Sequence, residues 1–233
     1  MTDYAALRAL HRPGDPVVLA NVWDAGSARV VEEAGHPAVA TASAAISAML
    51  GYPDGEGAPA GEMFAAAARV VRAVSVPVTV DAEAGYGLAP GALAERLRAI
   101  GAAGLNLEDS RGGTLVDAAE QAAYLAALRA ADPDLVINAR VDVYAAGNGD
   151  LAEAVERGRR YRDAGADCVY PILVTDEAAI SALVEALGAV NVLCLPGMTV
   201  PGLAALGVAR ISFGPAFYRR ALDGLREAVT ALR

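Results

Sequence analysis

Val78-Thr79-Val80-Asp81-Ala82-Glu83-Ala84-Gly85-Tyr86-Gly87 is the stretch around which the rest of the chain can be read. Pro77 leads into a β-branched run, a strand signal, and the run ends in two carboxylates followed by two glycines. Side chains alternate along a strand, so Thr79, Asp81 and Glu83 are predicted on one face and Val78 and Val80 on the other. Two carboxylates sharing a strand end repel unless something positive lies between them, and a hard divalent cation with oxygen ligands meets that need. Gly85 and Gly87 let the backbone turn tightly and leave room for a ligand. On this stretch alone, a strand end with two solvated acids stays open.

Working outward, a joint recurs: a helical pattern, a glycine, then a strand. It is seen at Gly35 before Ala38-Val39-Ala40-Thr41 and at Gly101 before Gly104-Leu105-Asn106-Leu107-Glu108. It returns at Gly165 before Asp167-Cys168-Val169-Tyr170 and at Gly207 before Ala209-Arg210-Ile211-Ser212-Phe213. Glycine just past a helix end is the expected C-terminal cap. Four further strands are predicted over 16–22, 77–83, 135–141 and 191–195, with helices over 61–73, 91–100, 118–131, 150–164, 176–187 and 216–232. Eight strands alternating with helices predict an α/β fold of parallel units closed into a (β/α)8 TIM barrel, with residues 1–233 as one domain. A doubly wound open sheet is the alternative. A dinucleotide-binding sheet would carry a glycine-rich turn after the first strand, where this chain has Asn21-Val22-Trp23-Asp24-Ala25-Gly26-Ser27. Segment 51–61 reads as a long loop after the second strand.

Composition narrows the function. The chain has 233 residues, 55% of them hydrophobic, and a formal charge of −9, which argues against nucleic acid or an anionic membrane as partner. The longest uncharged run, 186–209, is broken by Pro196, Gly197 and Pro201 and is no membrane span. No basic-then-apolar pattern opens the chain, and the two cysteines lack zinc or redox spacing, so a soluble cytoplasmic protein is expected. All 19 basic residues are arginine. The absence of lysine removes Schiff-base aldolase chemistry and lysine-anchored pyridoxal phosphate. His11 and His36 read as structural, so acid–base work falls to carboxylates, tyrosines or water on a metal.

In such a barrel the active site lies at the C-terminal ends of the strands. Strand three ends there in Asp81 and Glu83, strand four in Asn106, Glu108 and Asp109, and strand five in Asn138, Arg140 and Asp142. Arg140 supplies a planar fork suited to a carboxylate. Two structural alternatives accompany this: Glu108 as an interior ion-pair partner of Arg140, and Asp109 as a helix cap.

Val80-Asp81-Ala82-Glu83-Ala84-Gly85-Tyr86-Gly87, then Leu105-Asn106-Leu107-Glu108-Asp109, then Asn138-Ala139-Arg140, taken in this order, resemble the isocitrate lyase/phosphoenolpyruvate mutase superfamily from about Asn21 to Gly214. The resemblance implies a (β/α)8 barrel that binds Mg²⁺, or Mn²⁺, and a 2-oxo acid, and that makes or breaks C–C or P–C bonds through an enolate-like intermediate. Carried over, Asp81 is the direct metal ligand, Glu83 and Glu108 hold metal-bound waters, and Asp54 completes the acidic set. Ser43 and its neighbours contact the substrate carboxylate, and Arg140 grips substrate oxygens. Asn138, on the Arg140 face, is a further candidate contact. Arg140, Asp54 and Glu108 are thus the catalytic candidates. Trp23 is the nearest aromatic candidate, since Thr41 stands where members often place an aromatic. The lyases' cysteine loop and the mutases' lysine loop are both missing: the segment reads Asp109-Ser110-Arg111-Gly112-Gly113-Thr114-Leu115, with Arg111 its only cation. The chemistry that survives is decarboxylation or retro-aldol cleavage of a small, oxaloacetate-like 2-oxo acid. Alternatives are a hydrolase of the same superfamily and a 2-oxo acid binding protein without turnover. Members commonly form dimers of dimers by exchanging a C-terminal helix; a homo-oligomer, dimer or tetramer, is therefore expected. This chain stops soon after its eighth strand, which leaves the exchange itself open.

Overall fold

A computed structural model describes residues 3–147 and 149–232. The eight barrel strands are β1, broken at Ala20 into Val17–Leu19 and Asn21–Val22, β2 (Val39–Thr41), β3 (Val78–Asp81), β4 (Gly104–Leu107), β5 (Val136–Val141), β6 (Cys168–Pro171), β7 (Asn191–Leu193) and β8 (Arg210–Ser212). All pair in parallel and in chain order from β1 to β6, and β7 pairs with β8. A Val169–Val190 bridge joins β6 to β7, and β8 returns to the first half of β1, so the sheet closes as a (β/α)8 barrel. The open-sheet alternative is thereby excluded.

Ten helices are described: α1 (Tyr4–Ala9), α2 (Ala25–Glu33), α3 (Ser43–Leu50), α4 (Ala60–Ala73), α5 (Pro90–Ile100), α6 (Ala118–Ala131), α7 (Leu151–Asp163), α8 (Glu177–Leu187), α9 (Val200–Ala205) and α10 (Ala216–Thr230). Gly35, Gly101, Gly165 and Gly207, the four joint glycines, all lie at φ between 80° and 101°, the left-handed conformation that ends a helix without a Cβ penalty. Asp24, Asp117, Asp150 and Asp176 cap the helices that follow them by accepting from first-turn amides. Two helices lie outside the predicted pattern. α3 has no side-chain cap, because Ala42 precedes it, and its sequence lacks a polar face. α1 is six residues long, too short to show a period.

Strand alternation sorts the barrel into two environments. Val80, Leu105, Leu107, Ile137, Ala139 and Val169 face the helices and form the main apolar core with Leu93, Leu97, Leu125 and Leu183. Asp81, Asn106, Asn138 and Arg140 occupy the opposite, axial positions of the same strands. The axis of this barrel is therefore polar towards its C-terminal end.

At the other end α1 acts as a plug. Leu7 is fully buried and clusters with Val17, Leu19, Ala103 and Val136. Gly104 permits that approach, since a Cβ there would meet the Val136 carbonyl at 2.6 Å and Leu7 at 3.0 Å. His11 follows the plug. Its Nδ1 donates to the Leu7 carbonyl at 2.8 Å, while Nε2 is buried without a partner. Burial, helped by the nearby Arg210 guanidinium, lowers the His11 pKa from 6.5 to about 4. The folded state then binds fewer protons than the unfolded one between these values, so stability is full above pH 6.5 and declines as pH falls towards 4. The decline attributable to His11 is at most about 3.5 kcal/mol, at roughly 1.4 kcal/mol per pKa unit. Denaturant titrations from pH 7 to 4 are expected to show a shallower loss for His11→Gln than for wild type. Parallel curves would refute the assignment.

Candidate active site

Register places the axial polar residues in layers. Asp81, Asn106 and Asn138 are paired across β3, β4 and β5, and Arg140 lies one inward-facing position further along β5, opposite Tyr170. Above this row, at the C-terminal ends of the strands, is a cavity of about 100 Å³ whose lining includes Asn21, Ser43, Asp54, Asp81, Asn106 and Arg140.

Asp81 is held by the start of α3. Its Oδ2 accepts from the Ser43 amide at 3.0 Å, and its own amide donates to Thr41 Oγ1 at 2.8 Å. Its Oδ1 is buried and has no protein partner. A desolvated carboxylate oxygen left bare is costly, and a cation is the partner that suits it. Asp54 reaches the cavity from the loop between α3 and α4, within hydrogen-bonding range of Ser43; partial desolvation and the Asp81 charge push its carboxyl up.

Glu83 corrects the strand reading. β3 ends at Asp81, and Glu83 sits in the following turn at φ +48°, so the strict alternation that put it on the Asp81 face stops one residue early. The turn is closed by the Gly85 amide donating to the Ala82 carbonyl, and the Glu108 amide donates to the Glu83 carbonyl at 2.8 Å. Both Glu83 carboxylate oxygens are occupied: Tyr86 Oη donates to one at 2.8 Å and the Glu56 amide donates to the other. Glu56 in turn accepts from the Tyr86 amide at 2.5 Å. This reciprocal pair docks the loop that carries Asp54. Burial raises the Glu83 pKa to about 7.

Glu108 and Arg140 form an ion pair at 2.5 Å, as the structural alternative anticipated. Burial pushes the Glu108 carboxyl upward against the pull of Arg140, and Asp81, Asp142 and Glu83 add repulsion. The Arg140 fork does not stand free. Its Nε donates to Asp142 Oδ1 at 2.5 Å and its Nη2 to Asp142 Oδ2 at 2.9 Å. Burial disfavours the guanidinium charge, but the Asp142 hydrogen bonds and the Glu108 charge outweigh it and hold the Arg140 pKa above its ordinary value. With three of its five N–H groups engaged, Arg140 keeps one hydrogen on each terminal nitrogen for a ligand.

Asp142 is fixed from beneath. Its amide donates to Asp109 Oδ1 at 2.7 Å, and Asp109 Oδ2 accepts from Tyr161 at 2.7 Å and Arg157 at 3.2 Å. Asp109 is thus a buried strut between β5 and α7, not a helix cap. Ser110 Oγ also donates to Asp142. Ser110 opens a hairpin, Ser110–Arg111 against Thr114–Leu115, in the segment that reads as a plain loop in sequence. Arg111 is exposed and pairs only loosely with Glu120, at 3.4 Å.

Two candidate contacts lie elsewhere. Trp23 does not line the cavity; it meets Tyr218 edge-on, at 5.2 Å between centroids, beside an apolar groove of about 520 Å³ between α2 and α10. The groove is wider than the cavity, but it gathers no acid cluster and lies outside the barrel mouth. Trp23 follows the short second half of β1, where the chain turns outward into α2. Asn138 is wholly buried beneath the cavity and donates from Nδ2 to Asn106 Oδ1 at 2.8 Å. Asn106 lines the cavity instead, being the residue paired with Asp81. Asn106 and Asp142 escaped selection in sequence because nothing in their own strands distinguishes them from neighbouring polar residues. Register and partner were the missing signals.

Among the described residues, no three His, Cys, Asp or Glu side chains stand close enough together to hold an ion directly. The residues present fit a cation with one direct carboxylate, Asp81, and Asp54 beside it in the lining; Glu83 and Glu108 are near enough to repel Asp81 but do not line the cavity. Oxygen ligands of this kind favour Mg²⁺ or Mn²⁺. The fold and site define a (β/α)8 barrel with an acidic, arginine-lined pocket at its strand ends. The sequence model of the phosphoenolpyruvate phosphomutase family matches residues 7–233. A solved Burkholderia cenocepacia structure, provisionally assigned as a phosphonomutase, superposes with a TM-score of 0.93 at 43% identity, covering 99% of this chain and all of the other. An uncharacterized protein of Mycobacterium tuberculosis is 37% identical over 225 residues, 96% of this chain and 87% of its own. An oxaloacetate decarboxylase of Rhodopseudomonas palustris is 31% identical over 244 residues, 98% of this chain and 84% of its own. A phosphonopyruvate hydrolase solved with oxalate and Mg²⁺ superposes at TM-score 0.90 and 27% identity, covering 100% and 87%. The chain belongs to the isocitrate lyase/phosphoenolpyruvate mutase superfamily. No helix among the described residues is long and apolar enough to cross a membrane.

Proposed function

We propose that this chain works as one barrel domain and is a Mg²⁺- or Mn²⁺-dependent lyase that decarboxylates or cleaves a small, oxaloacetate-like 2-oxo acid. The observation that carries this reading is the bare, buried Asp81 Oδ1 in a cavity that also contains Arg140. When bound, the cation supplies a Lewis acid that draws electron density as the C–C bond breaks. Asp81 holds it, and Arg140 offers its two remaining hydrogens to the substrate's negative oxygens. Asp142 clamps the other edge of that guanidinium, so the donors are pre-aimed. Ser43 spends its amide on Asp81 and keeps its hydroxyl near Asp54 at the mouth. The 110–115 hairpin contains neither thiol nor amine. Decarboxylation needs no base to begin and tolerates that lack.

The test is a Mg²⁺ assay with oxaloacetate, phosphonopyruvate, isocitrate and 2-methylisocitrate, each against metal alone. Oxaloacetate is expected to give pyruvate and CO2 above the metal-only rate. Isocitrate and methylisocitrate cleavage is expected to be slower by a factor on the order of 10²–10⁴, the usual worth of a positioned proton-transfer group. Isocitrate turnover in the ordinary enzyme range, roughly 1–10³ per second, would refute the reading. Tight oxaloacetate binding without product would favour the binding protein, and phosphonopyruvate hydrolysis the hydrolase.

The same proposal includes a homo-oligomeric state. α10 buries none of its residues and leaves Phe217, Leu222, Leu225 and Val229 exposed on an amphipathic helix. Self-association would cover that face. Sedimentation at the monomer mass across the micromolar range would refute it.

A further inference from the structure

Arg210 is the largest fully buried side chain of the molecule's described part. It projects from the start of β8, two positions before Ser212, and so lies below the cavity on the far side of the barrel from β4. Its Nε and Nη1 have no protein partner; Nη2 donates to Asn106 Oδ1 at 2.9 Å. The mechanism proposed above leaves this cation unused.

Its geometry settles the orientation of an amide that does face the cavity. A guanidinium has donors only, so the Asn106 atom it meets must be the carbonyl oxygen. Asn138 Nδ2 donates to the same oxygen. With Oδ1 claimed twice from below, Asn106 can present only its Nδ2–H groups upward, beside Asp81 and Arg140. No acceptor within the described residues takes those hydrogens, and the nitrogen is not among the fully enclosed polar atoms. We propose that Asn106 donates to a carboxylate or keto oxygen of the bound 2-oxo acid, and that Arg210 is the positioning residue that holds the amide in this orientation. The inference rests on the 2-oxo acid reading and adds a neutral donor to it. Arg140 recognises charge from one side, and Asn106 recognises an oxygen from beneath. A ligand that lacks a second oxygen next to its carboxylate would forfeit that contact.

The probe is oxalate, titrated calorimetrically at saturating Mg²⁺ into wild type, Asn106→Asp, Arg210→Met and Arg210→Lys. Asn106→Asp keeps the acceptor for Arg210 and Asn138 but replaces the donor by an oxygen. It is expected to retain the thermal midpoint of wild type and to bind oxalate at least about tenfold more weakly, the scale of one hydrogen bond to a charged group. Arg210→Met is expected to lose affinity by several-fold, and Arg210→Lys, which still donates, to recover most of it. Wild-type affinity in Asn106→Asp would overturn the contact, and wild-type affinity in a folded Arg210→Met would overturn the positioning role. If Arg210→Met does not fold, the side-chain amide resonances of Asn106 in the wild type decide: they are expected to shift on oxalate addition, and unmoved resonances overturn the inference. No response of wild type to oxalate, oxaloacetate or pyruvate would overturn the 2-oxo acid reading and this inference with it.

Discussion

Asp81→Ala is expected to abolish stabilisation of the protein by Mg²⁺ or Mn²⁺. A ligand present at a hundred times its dissociation constant stabilises the native state by about 2.7 kcal/mol. For a chain of this size that corresponds to roughly 5–10 °C in thermal midpoint. Wild type should show the rise and the variant none, because Asp81 brings to the cavity a buried carboxylate oxygen that no protein group satisfies. The carboxylate oxygens of Glu83, by contrast, already accept from Tyr86 and the Glu56 amide. Removing Asp81 also relieves the repulsion it exerts on Asp54, Glu83 and Glu108. The metal-free variant should therefore lose little stability. Differential scanning calorimetry with and without the cation reads both effects, and an undiminished metal-dependent rise in Asp81→Ala would remove it as the ligand.

Arg140→Met is expected to be the most destabilising change at the site. Asp142 is 2% exposed at its side chain and would keep only Ser110 and lose both guanidinium bonds, and Glu108 would lose its cation. Stripping one partner from a buried ion pair typically costs about 3–5 kcal/mol, on the order of 10 °C in midpoint here. Arg140→Lys separates charge from geometry. It keeps a cation near Glu108 but cannot bridge both Asp142 oxygens, so 2-oxo acid binding should weaken by roughly 1–3 kcal/mol. Thermal melts and titration with oxaloacetate, pyruvate and 2-oxoglutarate at saturating Mg²⁺ measure the two effects separately. An Arg140→Met variant as stable as wild type would show that the clamp carries no weight. Unchanged oxo-acid affinity in Arg140→Lys would remove Arg140 from the pocket.

The barrel was legible because its signals are local. A left-handed residue at a helix end calls for glycine, and strand alternation follows from backbone geometry alone, so Gly35, Gly101, Gly165 and Gly207 mark four of the eight units in the sequence itself. Asp81 and Arg140 could likewise be nominated from their positions at strand ends, and both line the cavity. The partners of these residues were not legible. Whether the Arg140 fork is open or clamped depends on Asp142, two residues on along the same chain but turned back by Asp109 and Tyr161 from other elements. Whether Glu83 faces a metal or docks a loop depends on Glu56, 27 residues away. Asn106 over Asn138 as the cavity residue follows from the register of β4 against β5 and from Arg210, 104 residues further on. Residue types and periods lie within a few neighbours of each other and are written in sequence. Hydrogen-bond partners across a closed barrel are set by register and depth, which exist only once the eight strands have met.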